Sequence, residues 1–235
     1  MLPGLPAATF DCCIADPPYG DTNLRWDSRC DGWIPAVARV LRPAASMWVF
    51  GSMRFLAPLF AEMAQHGFVY SQDIVWEKHN GSSFHNDRFR RVHEHAVLFY
   101  RGRWSDVWHA TQYSMDARAR TVRRKIRTPH WHGATGAHEY VSEDGGPRML
   151  RSVLQIRSEH GRAIHPTQKP VDLVLPLLRY ACPVGGSVVD PFGGSGTTAL
   201  AAAIAGCDAT LIESDTAHID AAAKRLGLPS FERAA

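Results

Sequence analysis

The run Val188-Val-Asp-Pro-Phe-Gly-Gly-Ser-Gly-Thr-Thr198 opens on β-branched residues, closes that apolar stretch with an acid, and then places three glycines within four positions. It reads as a strand that stops at Asp190, turns tightly, and feeds a helix beginning near Thr197. Gly193, Gly194 and Gly196 let the backbone turn and come close to a bound group, and the helix that follows aims its free N–H groups at it. Roughly twenty residues further on, Glu213 closes the next apolar stretch, where a carboxylate accepts hydrogen bonds from both hydroxyls of a ribose. A glycine turn alone is equally a plain strand-to-helix connection, and a strand-end acid is often merely solvated. The spacing of the two is what points to a nucleotide-like ligand.

The same alternation extends in both directions from this turn. Downstream, an alanine-rich helix spans 197–205, a strand 209–213, and a last helix 216–226 that stops at Gly227 and Pro229. Upstream, a strand at 187–190 follows a helix over 171–181. At the start of the chain, Phe10-Asp-Cys-Cys-Ile-Ala15 is a short buried strand, ended by Asp16-Pro-Pro because two prolines cannot open or continue a central ladder. Trp33, Ile34, Val37, Val40 and Leu41 recur at helical spacing over 32–41, and Ser46-Met-Trp-Val-Phe50 is a compact strand closed by Gly51. A helix over about 54–66, a strand over 69–76 and a further strand over 94–100 complete the half. Strands alternating with helices predict an α/β fold built on a parallel, Rossmann-like sheet. From about 102 to 160 periodicity fades into a stretch rich in Arg, His, Gly and Trp, with Ser142-Glu-Asp-Gly-Gly-Pro147 as a turn, and this is read as an insertion.

Composition sets limits around that frame. With 235 residues, 45% of them hydrophobic, the chain can bury one α/β core but not two plus a linker. Its five cysteines include the adjacent Cys12 and Cys13 and form no C-x-x-C motif, which fits a reduced, cytoplasmic chain better than a disulfide framework. No apolar run approaches the roughly 18 residues of a membrane span, and the opening residues lack the basic region of a signal peptide. The net charge of +3 says little, but between Asn86 and Arg127 eleven basic residues face four acidic ones, a local excess of +7.

Asp16-Pro17-Pro18-Tyr19 supplies a carboxylate, a carbonyl freed by the following proline, and an aromatic ring within four residues. Asp16 and the Pro17 carbonyl can accept both hydrogens of an amino group on a flat base, drawing the nitrogen lone pair out of conjugation, while Tyr19 stacks on the ring. Pro-Pro-Tyr is otherwise a turn or a proline-rich ligand, but its place at the end of a buried strand argues against that.

Together with His165-Pro-Thr-Gln-Lys-Pro170, the pair Asp16–Tyr19 and Asp190–Thr198 closely resembles the amino-group DNA methyltransferases of restriction–modification, phage and orphan systems. Trp76-Glu-Lys78 and His93-Glu-His-Ala-Val-Leu-Phe99 also look like later sheet strands of that family. The catalytic motif first, the cofactor motif last and a variable segment between them is the circularly permuted order of its beta group. The resemblance implies an S-adenosylmethionine-dependent methyltransferase fold, with 1–101 as its catalytic half, 102–160 as a target-recognition insertion and 161–235 as its cofactor-binding half. Asp190, Pro191, Phe192, Gly193, Gly194, Ser195, Gly196, Thr197 and Thr198 then hold S-adenosylmethionine. Glu213 holds its ribose, and Thr167, Gln168 and Lys169 border the methionine side. Asp16, Pro17, Pro18 and Tyr19 grip a base flipped out of double-stranded DNA, since its amino group is unreachable while stacked. Transfer from sulfonium to nitrogen is direct and in line, so the cysteines need no role.

The resemblance also orders the details and the competing readings. Aspartate at position 16 favours adenine N6, because the cytosine-N4 enzymes more often carry serine there. Protein and RNA methyltransferases with a similar motif usually begin it with asparagine and keep the unpermuted order. A non-catalytic DNA-binding remnant is the reading from another class. Arg118, Arg120, Arg123, Arg124, Lys125 and Arg127 are expected to contact DNA phosphates, against the plain alternative of a solvated face. His130-x-His132 and His93-x-His95 lack the partner ligands of a zinc site, so no metal is expected. A homodimer is expected, as in many relatives. Relatives also place one more strand before the leader that here reads Leu2 to Asp11, so a sheet edge is expected beside the adenine pocket.

Overall fold

The computed structural model describes residues 2–24, 26–82, 86–124 and 138–229. They form two compact units, Met1–Ala110 with Ser152–Ala235, and Thr111–Arg151. In the larger unit the elements are β1 (Phe10–Ala15), α1 (Trp33–Val40), β2 (Leu41–Gly51), α2 (Met53–Gln65), β3 (Val69–Ser82) and β4 (Arg91–Tyr100). The smaller unit holds β5 (Tyr113–Ser114), β6 (Arg120–Arg124), β7 (His138–Ser142) and β8 (Arg148–Met149). The chain returns to the larger unit with β9 (Val153–Gln155), α3 (Val171–Ala181), β10 (Ser187–Asp190), α4 (Thr197–Ala205), β11 (Asp208–Leu211) and α5 (Thr216–Leu226).

One seven-stranded sheet runs in the order β11-β10-β1-β2-β4-β3-β9. Strand β1 sits inside it, parallel to β10 on one side and β2 on the other. A strand buried on both faces needs a continuous apolar run, and Cys12, Cys13, Ile14 and Ala15 are all within 2% of complete burial. The period-two alternation then sorts side chains between two cores. Cys13, Ala15, Met47 and Val49 pack with the helices α1 and α2, through Val37, Leu56 and Met63. Cys12, Ile14, Trp48 and Phe50 pack with α3 and α4, through Leu173, Leu177, Leu178 and Ala201. The adjacent Cys12 and Cys13 are therefore small apolar core residues on opposite faces, and both are free thiols.

The sheet is mainly parallel, as the alternation predicts, with an exception at β4. Strand β4 is antiparallel to both neighbours, pairing Val49 with Val97 on one side and Ile74 with Ala96 on the other. A parallel return needs a crossover of about a dozen residues or more, and the connection from Ser82 to Arg91 is too short to make one. Strand β4 therefore folds straight back and wedges between β2 and β3. Two further boundaries differ from the pattern. Strand β2 begins at Leu41, directly after α1. Val153–Gln155, within the stretch read as an insertion, pairs in parallel with β3 as an edge strand of the main sheet. Strand β11, at the opposite edge, ends at Leu211 and leaves Glu213 just beyond it.

The described residues of the smaller unit form two two-stranded antiparallel sheets, β5 with β8 and β6 with β7. Backbone hydrogen bonds from Ala117 to Gly146 and from Gly145 to Ala117, at 3.1 and 2.9 Å, bind the Gly145 turn to the start of β6. No described helix is long and apolar enough to cross a membrane.

Candidate active site

Register brings the two chemistry-bearing motifs together. Because Cys12 aligns with Val188 and Cys13 with Val189 in a parallel pair, Asp16 and Asp190 emerge side by side at the carboxyl ends of adjacent strands. This is the crevice where open α/β sheets bind ligands. A cavity of about 540 Å³ lies there, lined by Asp16–Tyr19 and by Asp190–Ser195, together with Gln168, Lys169 and Glu213.

The glycine turn has the geometry its composition predicts. Gly194 and Gly196 adopt φ of +47° and +74°, values that side-chain-bearing residues rarely take. A Cβ on Gly193 would meet the Cβ of Leu211 at 3.0 Å, so the turn also lies close against β11. Glu213 organises it: Oε2 accepts from Gly194 N at 2.9 Å, and Oε1 from Ser214 N and Asp215 N at 2.7 and 2.9 Å. Asp190 accepts from Phe192 N at 2.9 Å and from the Thr198 hydroxyl at 2.5 Å. Burial pushes the Asp190 carboxyl up to about 7 against those two hydrogen bonds, with the nearby Asp16 and Glu213 adding to the rise. Thr197 Oγ1 donates to the Lys169 carbonyl at 2.9 Å, and Arg225 reaches from α5 to Ser195 O and Thr197 Oγ1 at 2.9 and 3.0 Å. Gly196 and Thr197 thus tie the turn to both α5 and the segment before α3. Phe192 meets the edge of Trp33 with ring centres 5.4 Å apart.

Around Asp16 the arrangement is tighter than a single carboxylate requires. Asp16 Oδ1 accepts from the Tyr19 hydroxyl at 2.6 Å, and Oδ2 from Lys169 Nζ at 2.6 Å. The Lys169 side chain is 6% exposed, and its ammonium also stands 3.4 Å from Glu94 Oε2, an ion-pair distance without hydrogen-bond alignment. Lys78 closes the series with a short hydrogen bond to Glu94 Oε1. Burial opposes the charge on Lys169, but Asp16 and Glu94 outweigh it and hold the ammonium above its ordinary range. Burial likewise opposes the charge on Glu94, and Lys169 and Lys78 bring that carboxyl down to about 2. Burial, then the charges of Asp16 and Glu94, push the Tyr19 phenol well up, so it remains a neutral donor.

Across residues 10–224 the chain matches the family model for N6/N4 DNA methylases. The chain belongs to this family. A curated relative, the Type II methyltransferase M.HinfI of Haemophilus influenzae, is 24% identical over 96% of this chain, and the chain spans 65% of that relative's length. Among solved structures, M1.HpyAVI in complex with SAM is 24% identical with a TM-score of 0.63, covering 92% of this chain and 89% of the other. The cytosine-N4-specific PvuII DNA methyltransferase is 17% identical with a TM-score of 0.65, covering 95% and 82%. These likenesses carry the fold alone: an α/β architecture on a mainly parallel mixed sheet, shared with DNA methyltransferases of known structure.

In this member of the family, the cavity gathers Asp16, Pro17, Pro18, Tyr19, Thr167, Gln168, Lys169, Asp190–Ser195, Thr197, Thr198 and Glu213, while Gly196 shapes the turn from behind. Thr167 and Gln168 are held locally: Thr167 N donates to His165 Nδ1 at 3.3 Å, and Gln168 Oε1 accepts from Ile164 N at 3.0 Å. Pattern reading missed several lining residues. Trp26 lies 5.4 Å from the His165 ring, which packs edge-on against His218 at 4.3 Å. Asp27 pins the loop after Tyr19, accepting from Gly20 N, Thr22 N and the Thr22 hydroxyl at 2.7 to 2.9 Å. Asp21 is buried between Arg91 at 3.0 Å and Arg54 at 3.6 Å. Glu94 carried a signal: on β4 it shares a face with Ala96 and Leu98, so a charged residue stands in a buried apolar row.

Of the expected phosphate contacts, Arg118, Arg120 and Arg123 lie in the smaller unit, Arg118 and Arg120 lining a shallow cleft with Tyr140 and Arg148. Arg123 is engaged with Glu139 across the β6–β7 pair at 3.1 Å. Arg124 is described by its backbone alone, and Lys125 and Arg127, like His130 and His132, lie outside the described residues.

Proposed function

We propose that the protein transfers a methyl group from S-adenosylmethionine to the exocyclic amino group of a base in double-stranded DNA, and that the base is adenine. The observation that carries this reading is the juxtaposition, in one cavity, of the Asp16–Tyr19 turn with a glycine turn capped by Glu213. The cofactor fits this site on its own terms. Gly193 and Gly194 bring bare backbone to the cavity wall, and a cavity of about 540 Å³ falls within the roughly 300–1,000 Å³ of small-molecule sites. Glu213 Oε2, which accepts from Gly194 N, keeps a lone pair for a ribose hydroxyl, and Asp190, Phe192 and the α4 N-terminus supply the remaining wall. When bound, S-adenosylmethionine supplies a methyl group on a sulfonium: the N–C bond forms as the C–S bond breaks, with the electron pair going to sulfur.

The chain's own residues act on the acceptor. Asp16 and the Pro17 carbonyl accept from the amino group and direct its lone pair at the methyl carbon, and Tyr19 provides the stacking face. Once methylated, the nitrogen gives up one of its two protons to water at the cavity mouth. Direct transfer relies on positioning more than on acid–base strength. No thiol is needed, in keeping with the core positions of Cys12 and Cys13. The unit Thr111–Arg151, with Arg118, Arg120 and Arg123, is assigned to DNA recognition. The chain is assigned to a cytoplasmic homodimer, an assembly that a monomeric mass by light scattering would exclude.

Adenine is favoured by the aspartate at position 16. Cytosine N4 is the second reading, favoured by the fold shared with the cytosine-N4-specific PvuII enzyme. Methylation-sensitive long-read sequencing of DNA from cells expressing the protein reports base and site together. Modified adenines at one recurring sequence are the expected result, and modified cytosines at one sequence select the second reading.

A further inference from the structure

The side chains Lys78, Glu94, Lys169 and Asp16 form a ladder of alternating charge that runs from the inner strands β3 and β4 to the carboxylate at the end of β1. Lys169 is buried and the other three are partly buried, and withdrawing charges from water in this way is expensive unless each is paired. The family resemblance places Lys169 beside the cofactor, yet its ammonium is directed at Asp16. The Lys169 charge also stands over the rings of Tyr19 and Phe50, at 5.6 and 5.3 Å, and so borders the face on which a base would stack.

We propose that Lys169 and Glu94 are positioning residues for Asp16: Lys169 fixes the carboxylate in direction, and Glu94, locked by Lys78, holds Lys169. The inference rests on the proposed methyl transfer and deepens it by moving Lys169 from the cofactor's side of the reaction to the acceptor's. With Oδ1 tied to Tyr19 and Oδ2 to Lys169, Asp16 keeps a defined set of free lone pairs for the incoming amino group. A preorganised acceptor of this kind need not reorient as the transition state forms. The other titratable groups near this cluster are His93, Asp21, His165 and Asp190.

Lys169→Met keeps the stem and removes the charge. In single-turnover methyl transfer to duplex DNA, the variant's rate should fall on the order of 100-fold. The KM for S-adenosylmethionine should stay within a few fold. Glu94→Gln should show the same pattern in weaker form. A raised cofactor KM with the parent's rate at saturating cofactor would return Lys169 to the cofactor and overturn the proposal.

A second readout needs neither ligand nor activity. Without Lys169, Asp16 and Glu94 face each other with less cation between them, so the Tm deficit of Lys169→Met should be larger at pH 8 than at pH 5. The double variant Lys169→Met, Glu94→Gln should recover part of it. Equal deficits at both pH values would show that the ladder is not a charge device, even if the parent protein proved to methylate nothing. A parent that methylates no DNA while the pH-dependent deficit appears would fault the function and leave the ladder standing.

Discussion

Asp190 shows what a single residue costs the protein before any ligand arrives. Its carboxyl is raised from 3.8 to about 7, so between those values the folded chain holds a proton that the unfolded chain has released. The unfolded state binds fewer protons there, and stability therefore falls as pH rises from about 4 to about 7. Asp190→Asn keeps the shape and can still accept from Phe192 N, so the ligand-free variant should lose most of that slope in Tm between pH 5 and 8. Parallel slopes for parent and variant would mean that Asp190 is ionised throughout. At this scale much of the site was legible, because Asp16, Tyr19, Asp190 and Glu213 belong to contiguous motifs whose spacing has a local meaning. Asp27, Glu94 and Arg225 were not, because each lies outside the site motifs themselves. Only the alternation on β4, which sets Glu94 in line with Ala96 and Leu98, marks one of them.

Elements were read best where one local pattern determines them. The helix at 171–181 and the helix at 197–205 appear with those same limits as α3 and α4, since helical spacing and flanking glycine or proline set both ends. The direction of β4 could not be read this way, because it depends on how long a connection must be to cross a sheet. The start of α4 shows how tightly an element boundary can be specified. Gly196 has φ of +74°, and a Cβ there would stand 3.3 Å from both Ala222 Cβ and Leu226 Cδ1 of α5. A left-handed conformation costs a residue bearing a Cβ about 1–2 kcal/mol, and for a chain of this length that lowers Tm by roughly 2–8 °C. Gly196→Ala should show that loss, whereas Gly4→Ala, where a Cβ meets nothing within 4 Å, should be near neutral. Equal effects at the two sites would contradict the account of the turn.

For the whole molecule, the fold class followed from strand–helix alternation, while the two-unit division followed only from the loss of it. The compact smaller unit occupies Thr111–Arg151, narrower than the aperiodic stretch from 102 to 160, because irregular chain on either side of it still packs into the larger unit. If that unit meets DNA through Arg118, Arg120 and Arg123, replacing all three by alanine should weaken binding at low salt. It should also flatten the dependence of log affinity on log salt by about 0.9 for each phosphate no longer neutralised. An unchanged slope would leave these arginines a solvated face. The central claim, that one cavity joins an amino-group acceptor at Asp16 to a methyl donor at the glycine turn, is tested most directly by nucleoside mass spectrometry. Purified protein is incubated with plasmid DNA and methyl-labelled S-adenosylmethionine, beside an Asp16→Ala variant shown by calorimetry to bind the cofactor. The account predicts labelled N6-methyladenine with the parent and none with the variant. Label on a ring carbon, label on protein alone, or equal label with parent and variant would contradict it.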